Sequence, residues 1–232
     1  MGGILAIPDL HLPYADEDCI NRMLDFADGR DIELVVQMGD AIELYNFSRF
    51  SRSLSVITPA DELRLARSGL EVFWGAMRRV APNAKYVQLM GNHDMRIRRQ
   101  MAMRWPEGLD VLDALDLEQL WRIDGVELLA DPRIPYEYND ILFIHGDFLR
   151  SLTAGTRVKY LHKNVVFGHT HMGGTYWLPI HDGNLWELGC GNLTDVNSIP
   201  LSYAPMKTNK TIHGFGWIDQ WGPRFISLDG TI

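Results

Sequence analysis

The sequence is poor in cysteine, has no long apolar run and carries no excess of positive charge, and each lack removes a class of protein. Cys19 and Cys190 are the only cysteines in 232 residues, far apart and in no metal-binding spacing. They imply neither a disulfide framework nor a thiolate zinc site, and they fit a reducing, cytoplasmic setting. No apolar run approaches the ~20 residues that span a bilayer, and the N-terminus lacks the basic, apolar and small-residue order of a signal peptide. A membrane partner is therefore not expected. The formal net charge of -8 argues against a chain dominated by non-specific attraction to nucleic-acid phosphates. It leaves a local nucleic-acid site open, because acids that bind divalent cations inflate a count from which the ions are missing.

What is present is ordinary for a folded domain: 46% apolar and 22% charged residues, enough for a substantial core. Residues 1–232 read as one domain, with no repeat or linker to divide them. Short aliphatic runs at Ile4 to Ile7, Leu34 to Met38, Tyr86 to Met90, Ile141 to Ile144 and Val165 to Phe167 predict strands buried on both faces. A helix is expected from about Asp18 to Ala27, with Ile20, Met23, Leu24 and Ala27 inward and Gly29 as its cap. A second opens at Thr58-Pro59, with Asp61 and Glu62 in its first turn, and ends at Pro82. Its apolar stripe is Leu63, Ala66, Leu70, Phe73, Met77 and Val80. After His171 the pattern turns to short strands around Leu185 to Leu188, Phe215 to Asp219 and Arg224 to Leu228. An α/β domain with two sheets follows.

Polar motifs stand at the ends of five of these strands: Asp9-Leu10-His11, Gly39-Asp40, Gly91-Asn92-His93-Asp94, His145-Gly146-Asp147 and Gly168-His169-Thr170-His171. Ligands gather beyond the carboxyl ends of strands in α/β sheets, so five such motifs suggest one site. In an extended segment the pairs Asp9/His11 and His169/His171 direct two side chains to one side. Imidazole mixed with carboxylate oxygen suits first-row transition metals. The glycines before Asp40, Asn92 and His169 permit tight turns and close backbone approach.

The set DLH, GD, GNHD, HG and GHTH, in that order over residues 9–171, resembles the calcineurin-like metallophosphoesterases. The resemblance implies two facing mixed β-sheets flanked by helices, a four-layer α/β/β/α sandwich. It also implies two divalent ions, Mn foremost with Fe, Zn, Ni or Mg as alternatives. One ion would be held by Asp9, His11, Asp40 and His171, the other by Asp40, Asn92, His145 and His169, with Asp40 bridging. In that family scheme a metal-bound hydroxide attacks phosphorus in line. His93 would act at the leaving oxygen as general acid or hydrogen-bond donor, with Asp94 as its orienting partner. Expected substrates are phosphodiesters or phosphomonoesters: a small nucleotide, a cyclic nucleotide or a nucleic-acid end. A nuclease is the enzymatic alternative, and a non-catalytic metal-binding module the alternative from another class.

Two departures narrow the expectation. Gly39-Asp40 continues as Ala41-Ile42-Glu43-Leu44-Tyr45 and not as the GDxxDRG of the phosphoprotein phosphatases, so protein phosphatase activity is not expected. No large cap or accessory domain is expected either. Arg96, Arg98, Arg99 and Arg104 follow GNHD as a candidate phosphate rim, Arg96 being nearest to His93, and a solvated helical face explains them about as well. Tyr45, Phe47 and Phe50, interleaved with Arg49 and Arg52, read as a segment packed on the core beside the site, in a mixture also suited to stacking on bases. His162, His181 and His213 lie outside the motifs and read as surface or core residues. Trp177, Trp186, Trp217 and Trp221 read as packing residues.

Overall fold

The computed structural model describes residues 2–49, 57–147, 153–195, 197–198 and 211–229. Phe50 and Arg52 lie outside the described residues. The first sheet is built on strand β1 (Gly3–Ile7), β2 (Ile32–Gln37), β3 (Lys85–Leu89) and β4 (Glu127–Leu129), all parallel. The second contains β5 (Tyr136–Tyr138), β6 (Ile141–Ile144), β7 (Asn164–Phe167), β8 (Gly173–Ile180) and β9 (Gly183–Cys190). Strands β10 (Gly214–Asp219) and β11 (Gly222–Ser227) return to the first sheet, whose order is β11-β10-β1-β2-β3-β4. The second sheet runs β5-β6-β7-β9-β8, with β6, β7 and β9 parallel.

Side-chain alternation along the strands explains the layering. Ile4, Ala6, Leu34, Val36, Val87 and Leu89 of the first sheet pack against Phe143, Val166, Trp186 and Leu188 of the second. The alternate residues Leu5, Ile7 and Val35 face the opposite way, onto helices α1 (Glu17–Ala27) and α2 (Pro59–Val80). On the far side Ile144, Val165 and Phe167 pack with Leu161 of α5 (Thr156–Leu161). Helix, sheet, sheet and helix make the expected four layers.

Helix α2 begins as the sequence predicts, with the Thr58 hydroxyl accepting from the Asp61 amide and Pro59 in the first turn. Ala66, Leu70, Phe73 and Met77 are buried, with Leu63 and Val80 partly buried against the same core, each full burial of a large apolar side chain contributing about 1.5–3 kcal/mol. Helices α3 (Arg96–Arg104) and α4 (Gly108–Ala114) connect β3 to β4; α3 carries the arginines on a helix, as the solvated-face reading has it, and α4 has no counterpart in the sequence expectations. Two tryptophans depart from theirs. Trp186 and Trp217 are buried, whereas Trp177 on edge strand β8 is 48% exposed and Trp221, in the turn before β11, is 77% exposed.

Candidate metal centre

The five motifs follow β1, β2 and β3 of one sheet and β6 and β7 of the other, and the facing sheets bring their loops together. His145 lies 2.9 Å by its Nδ1 from the Met38 carbonyl, and the His169 amide donates to Asp9 Oδ1 at 3.0 Å, so each sheet holds a loop of its neighbour. Backbone conformation at these loops is unusual. His11, Asp40, His169 and His171 have φ of 52°, 53°, 64° and 56°, the left-handed region that costs L-residues roughly 1–2 kcal/mol each. Gly91 is required by close approach, because a Cβ there would lie 2.1 Å from Asp40 Oδ1 and 2.4 Å from its amide nitrogen.

Three side chains, Asp9, His11 and His171, form one group, and Asp40, His145 and His169 another, with Asp40 also within reach of His11 and His93. In the first group His171 Nε2 lies 3.1 Å from Asp9 Oδ2 and 3.2 Å from His11 Nε2. In the second His145 Nε2 lies 3.3 Å from Asp40 Oδ2 and 3.1 Å from Asn92 Oδ1. All seven residues proposed from the resemblance as ligands are thus adjacent. Asp9 Oδ2 is buried with no hydrogen-bond partner, an arrangement that a cation would satisfy. The outer nitrogens are already committed: a carbonyl and a carboxylate only accept, so His145 Nδ1–H donates to Met38 and His11 Nδ1–H to Glu43 Oε2, at 2.6 Å for the latter. The Nε2 atoms are left facing the carboxylates, as metal-ligating imidazoles require. The donor set fits divalent transition ions.

Glu43 is the residue the motifs do not reveal. It is 1% exposed, and its Oε2 lies 2.6 Å from His11 Nδ1 and 2.7 Å from His93 Nδ1. Its Oε1 meets Arg96 Nη1 at 2.5 Å. One carboxylate therefore orients a candidate ligand, the candidate acid and an arginine. The only sequence signal was its place three residues after Asp40, where GDxxDRG has its second aspartate.

Two expectations are corrected here. Asp94 does not orient His93: its carboxylate accepts from the amides of Gly91 (2.8 Å), Ala41 (3.3 Å) and Ile42 (3.0 Å) and from Trp121 Nε1 (2.8 Å), tying the third motif loop to the second. Arg96 is not free at a substrate rim. Besides the ion pair it donates to the Glu43 carbonyl at 2.7 Å, and its Nη2 lies 3.2 Å from His93 Nε2. Arg98 and Arg99 pair with Asp113 and Asp147. Tyr45 is buried, Phe47 packs on the core and Arg49 is exposed. His162 and His181 are exposed. His213 lies near Asp16 and Cys19, but its Nδ1 is 3.0 Å from Asp229 and its Nε2 2.9 Å from the Thr194 carbonyl, and burial pushes the Cys19 thiol up to about 12, which disfavours the thiolate a metal needs.

The electrostatics polarise the site. Burial drives the Asp40 carboxyl upward, but the charges of His145 and His93 and the His145 hydrogen bond hold it well below the carboxylate range. Asp9 behaves alike, its burial outweighed by the neighbouring imidazoles of His11 and His171. Burial lowers His145, yet Asp40 and Asp9 raise it to about 10, while burial and the His145 charge depress His169 to about 4. Burial and the neighbouring Asp40 charge lift Asp94 to about 6.

The family description "Calcineurin-like phosphoesterase" matches residues 3–193. The chain belongs to the calcineurin-like metallophosphoesterases. No curated protein matches. Among solved structures, Chaetomium thermophilum Vps29 is similar at 13% identity, over 96% of this chain and 84% of that one, with a TM-score of 0.47. A single mutant of Entamoeba histolytica Vps29 is similar at 14% identity over 99% of both chains, with a TM-score of 0.45. Pseudomonas putida nuclease MPE is similar at 14% identity, over 96% of this chain and 86% of that one, with a TM-score of 0.38. No helix of the described residues is long and apolar enough to cross a membrane.

Proposed function

We propose that this chain, taken as one domain over residues 1–232, is a cytoplasmic, dinuclear metal-dependent phosphoesterase with a preference for diesters. The observation that supports it most is the convergence of Asp9, His11 and His171 with Asp40, His145 and His169, with the outer nitrogens of His11 and His145 already tied to Glu43 and Met38. The two groups would hold one divalent ion each, Mn foremost, with Asp40 between them and Asn92 contributing its carbonyl oxygen to the second. When bound, such ions neutralise phosphoryl oxygens and activate water.

The remaining work falls to His93. Its Nδ1–H donates to Glu43, and because a guanidinium only donates, its Nε2 accepts from Arg96 Nη2. Burial lowers its pKa, with Glu43 and Asp40 opposing. Glu43 supports a proton taken up at Nε2, which His93 can then deliver to the departing oxygen. The test is hydrolysis of bis-p-nitrophenyl phosphate, p-nitrophenyl phosphate and single-stranded DNA after metal removal and reloading with Mn²⁺, Mg²⁺, Zn²⁺ or Fe²⁺. Metal-dependent turnover, fastest on the small diester, is expected. Faster turnover of DNA would make the chain a nuclease, and full loading without turnover on any ester would leave a non-catalytic module.

A further inference from the structure

Arg157, in helix α5, is among the largest fully buried side chains, at 1% exposure. Phe167 covers one face of it, with Cζ 3.7 Å from the ring centroid. Its Nε and Nη2 have no hydrogen-bond partner. The acid whose charge bears on it, Glu187, forms no ion pair with it among the described residues. Glu187 is instead engaged by the amides of Gly155, Arg157 and Val158 at 2.6, 3.0 and 3.1 Å. A buried guanidinium in this condition is costly unless something neutralises it.

Beside it lies a cavity of about 170 Å³, lined by Arg157, Glu187, Phe167, Thr170, Met172 and Tyr176 among others. A water molecule's share of volume is ~30 Å³, so the space admits an ion larger than water. Thr170 stands between His169 and His171 in sequence, yet it lines this cavity while the two histidines belong to the metal-centre groups. Its Oγ1 accepts from the Met172 amide at 3.3 Å, and the hydroxyl hydrogen remains to be donated.

We propose that this cavity is a second anion site, distinct from the metal centre, in which Arg157 supplies the charge and Thr170 a hydroxyl for a small tetrahedral oxyanion of the phosphate or sulfate type. Arginine suits oxyanions because its planar donors match their oxygens. Glu187 in the wall limits the affinity, although its charge is spread over three amides. The site goes beyond the proposed reaction and stands whether or not the metal centre turns over.

The test uses the full, metal-loaded chain and a signal from the site itself. The Arg157 Nε–H resonance in ¹H–¹⁵N spectra, assigned through its own side-chain carbons, is followed as sodium sulfate, sodium phosphate or sodium chloride is added at equal ionic strength. Sulfate and phosphate are expected to shift it saturably, and chloride to leave it in place. The curve should survive Asp40→Asn, which disables the metal centre, and should weaken about tenfold in Thr170→Val, the loss of one hydrogen bond to a charged group. A shift that never saturates, that chloride reproduces, that vanishes in Asp40→Asn or that is unchanged in Thr170→Val would overturn the proposal.

Discussion

Replacing Glu43 by glutamine is the most informative single change, because one buried carboxylate serves three partners. Oε2 takes hydrogens from His11 and His93 at 2.6 and 2.7 Å, and Oε1 meets Arg96 at 2.5 Å. An amide has one accepting oxygen and one donating nitrogen, so whichever way it turns, a donor faces a donor. At least one charge-assisted bond is lost, about 1.5–3 kcal/mol, which for a chain of this size lowers Tm by roughly 3–12 °C. Burial pushes Glu43 upward, but the charge of His93 and the His11 hydrogen bond hold it below its ordinary 4.5. Its stabilisation is therefore complete above pH 4.5 and is lost as pH falls through the lower folded value, so wild type and Glu43→Gln should converge only in acid. With His93 no longer supported as a proton carrier, kcat should fall by ~10²-fold or more, the scale of general acid catalysis. Because Glu43 also orients a candidate ligand, metal affinity should weaken by ~10-fold to 100-fold. The assay is kcat on bis-p-nitrophenyl phosphate at saturating Mn²⁺, with metal content measured on the same sample. In the double variant with His93→Ala the two kcat losses should not add, since one residue acts through the other. Full metal content with unchanged kcat in Glu43→Gln, or fully additive losses, would refute the reasoning.

Asp40→Asn should lower metal content at both positions, since a neutral amide bridges two cations poorly; unchanged metal and activity, by elemental analysis and turnover, would remove Asp40 from its assigned place. His93→Ala should keep the ions but lose ~10²-fold to 10⁴-fold in kcat. That defect should be larger on an alkyl or nucleoside ester than on a p-nitrophenyl ester, whose leaving group departs without a proton, and equal defects would point to phosphate stabilisation instead. Gly91→Ala must displace Asp40, whose Oδ1 would lie 2.1 Å from the new Cβ. Overpacking of about 1–3 kcal/mol and loss of bound metal are expected, and calorimetry with metal analysis checks both.

The strands that lead into the motifs, β1, β2, β3, β6 and β7, and helix α2 were legible because their signals are local: buried aliphatic runs, a Thr58-Pro59 start and a stripe with helical spacing. The ligand set was legible for another reason, since five motifs at strand ends carry their order in the sequence itself. Glu43 was not, because what distinguishes it is contact with His11, His93 and Arg96 across 32, 50 and 53 positions. Asp94 was misassigned by proximity: adjacency to His93 in sequence suggested a pair, whereas the chain turns its carboxylate inward to the amides of Gly91, Ala41 and Ile42. Strand β8 escaped notice because it is an edge strand, paired only with β9 and largely exposed, so no buried apolar face marks it. The same geometry leaves Trp177 half in solvent.

The positive-φ residues have a consequence for how such a chain can change over generations. At His11, Asp40, His169 and His171 the backbone favours glycine, while the chemistry proposed for the site needs imidazole or carboxylate. Mutation toward glycine at any of them relieves conformational strain and removes a ligand in the same step. At His11 and Asp40 that relief is opposed by the loss of the bonds to Glu43 and from the His93 amide, so the drift toward an empty centre under selection for heat resistance alone is open at His169 and His171. Only selection on turnover would hold those two positions against it.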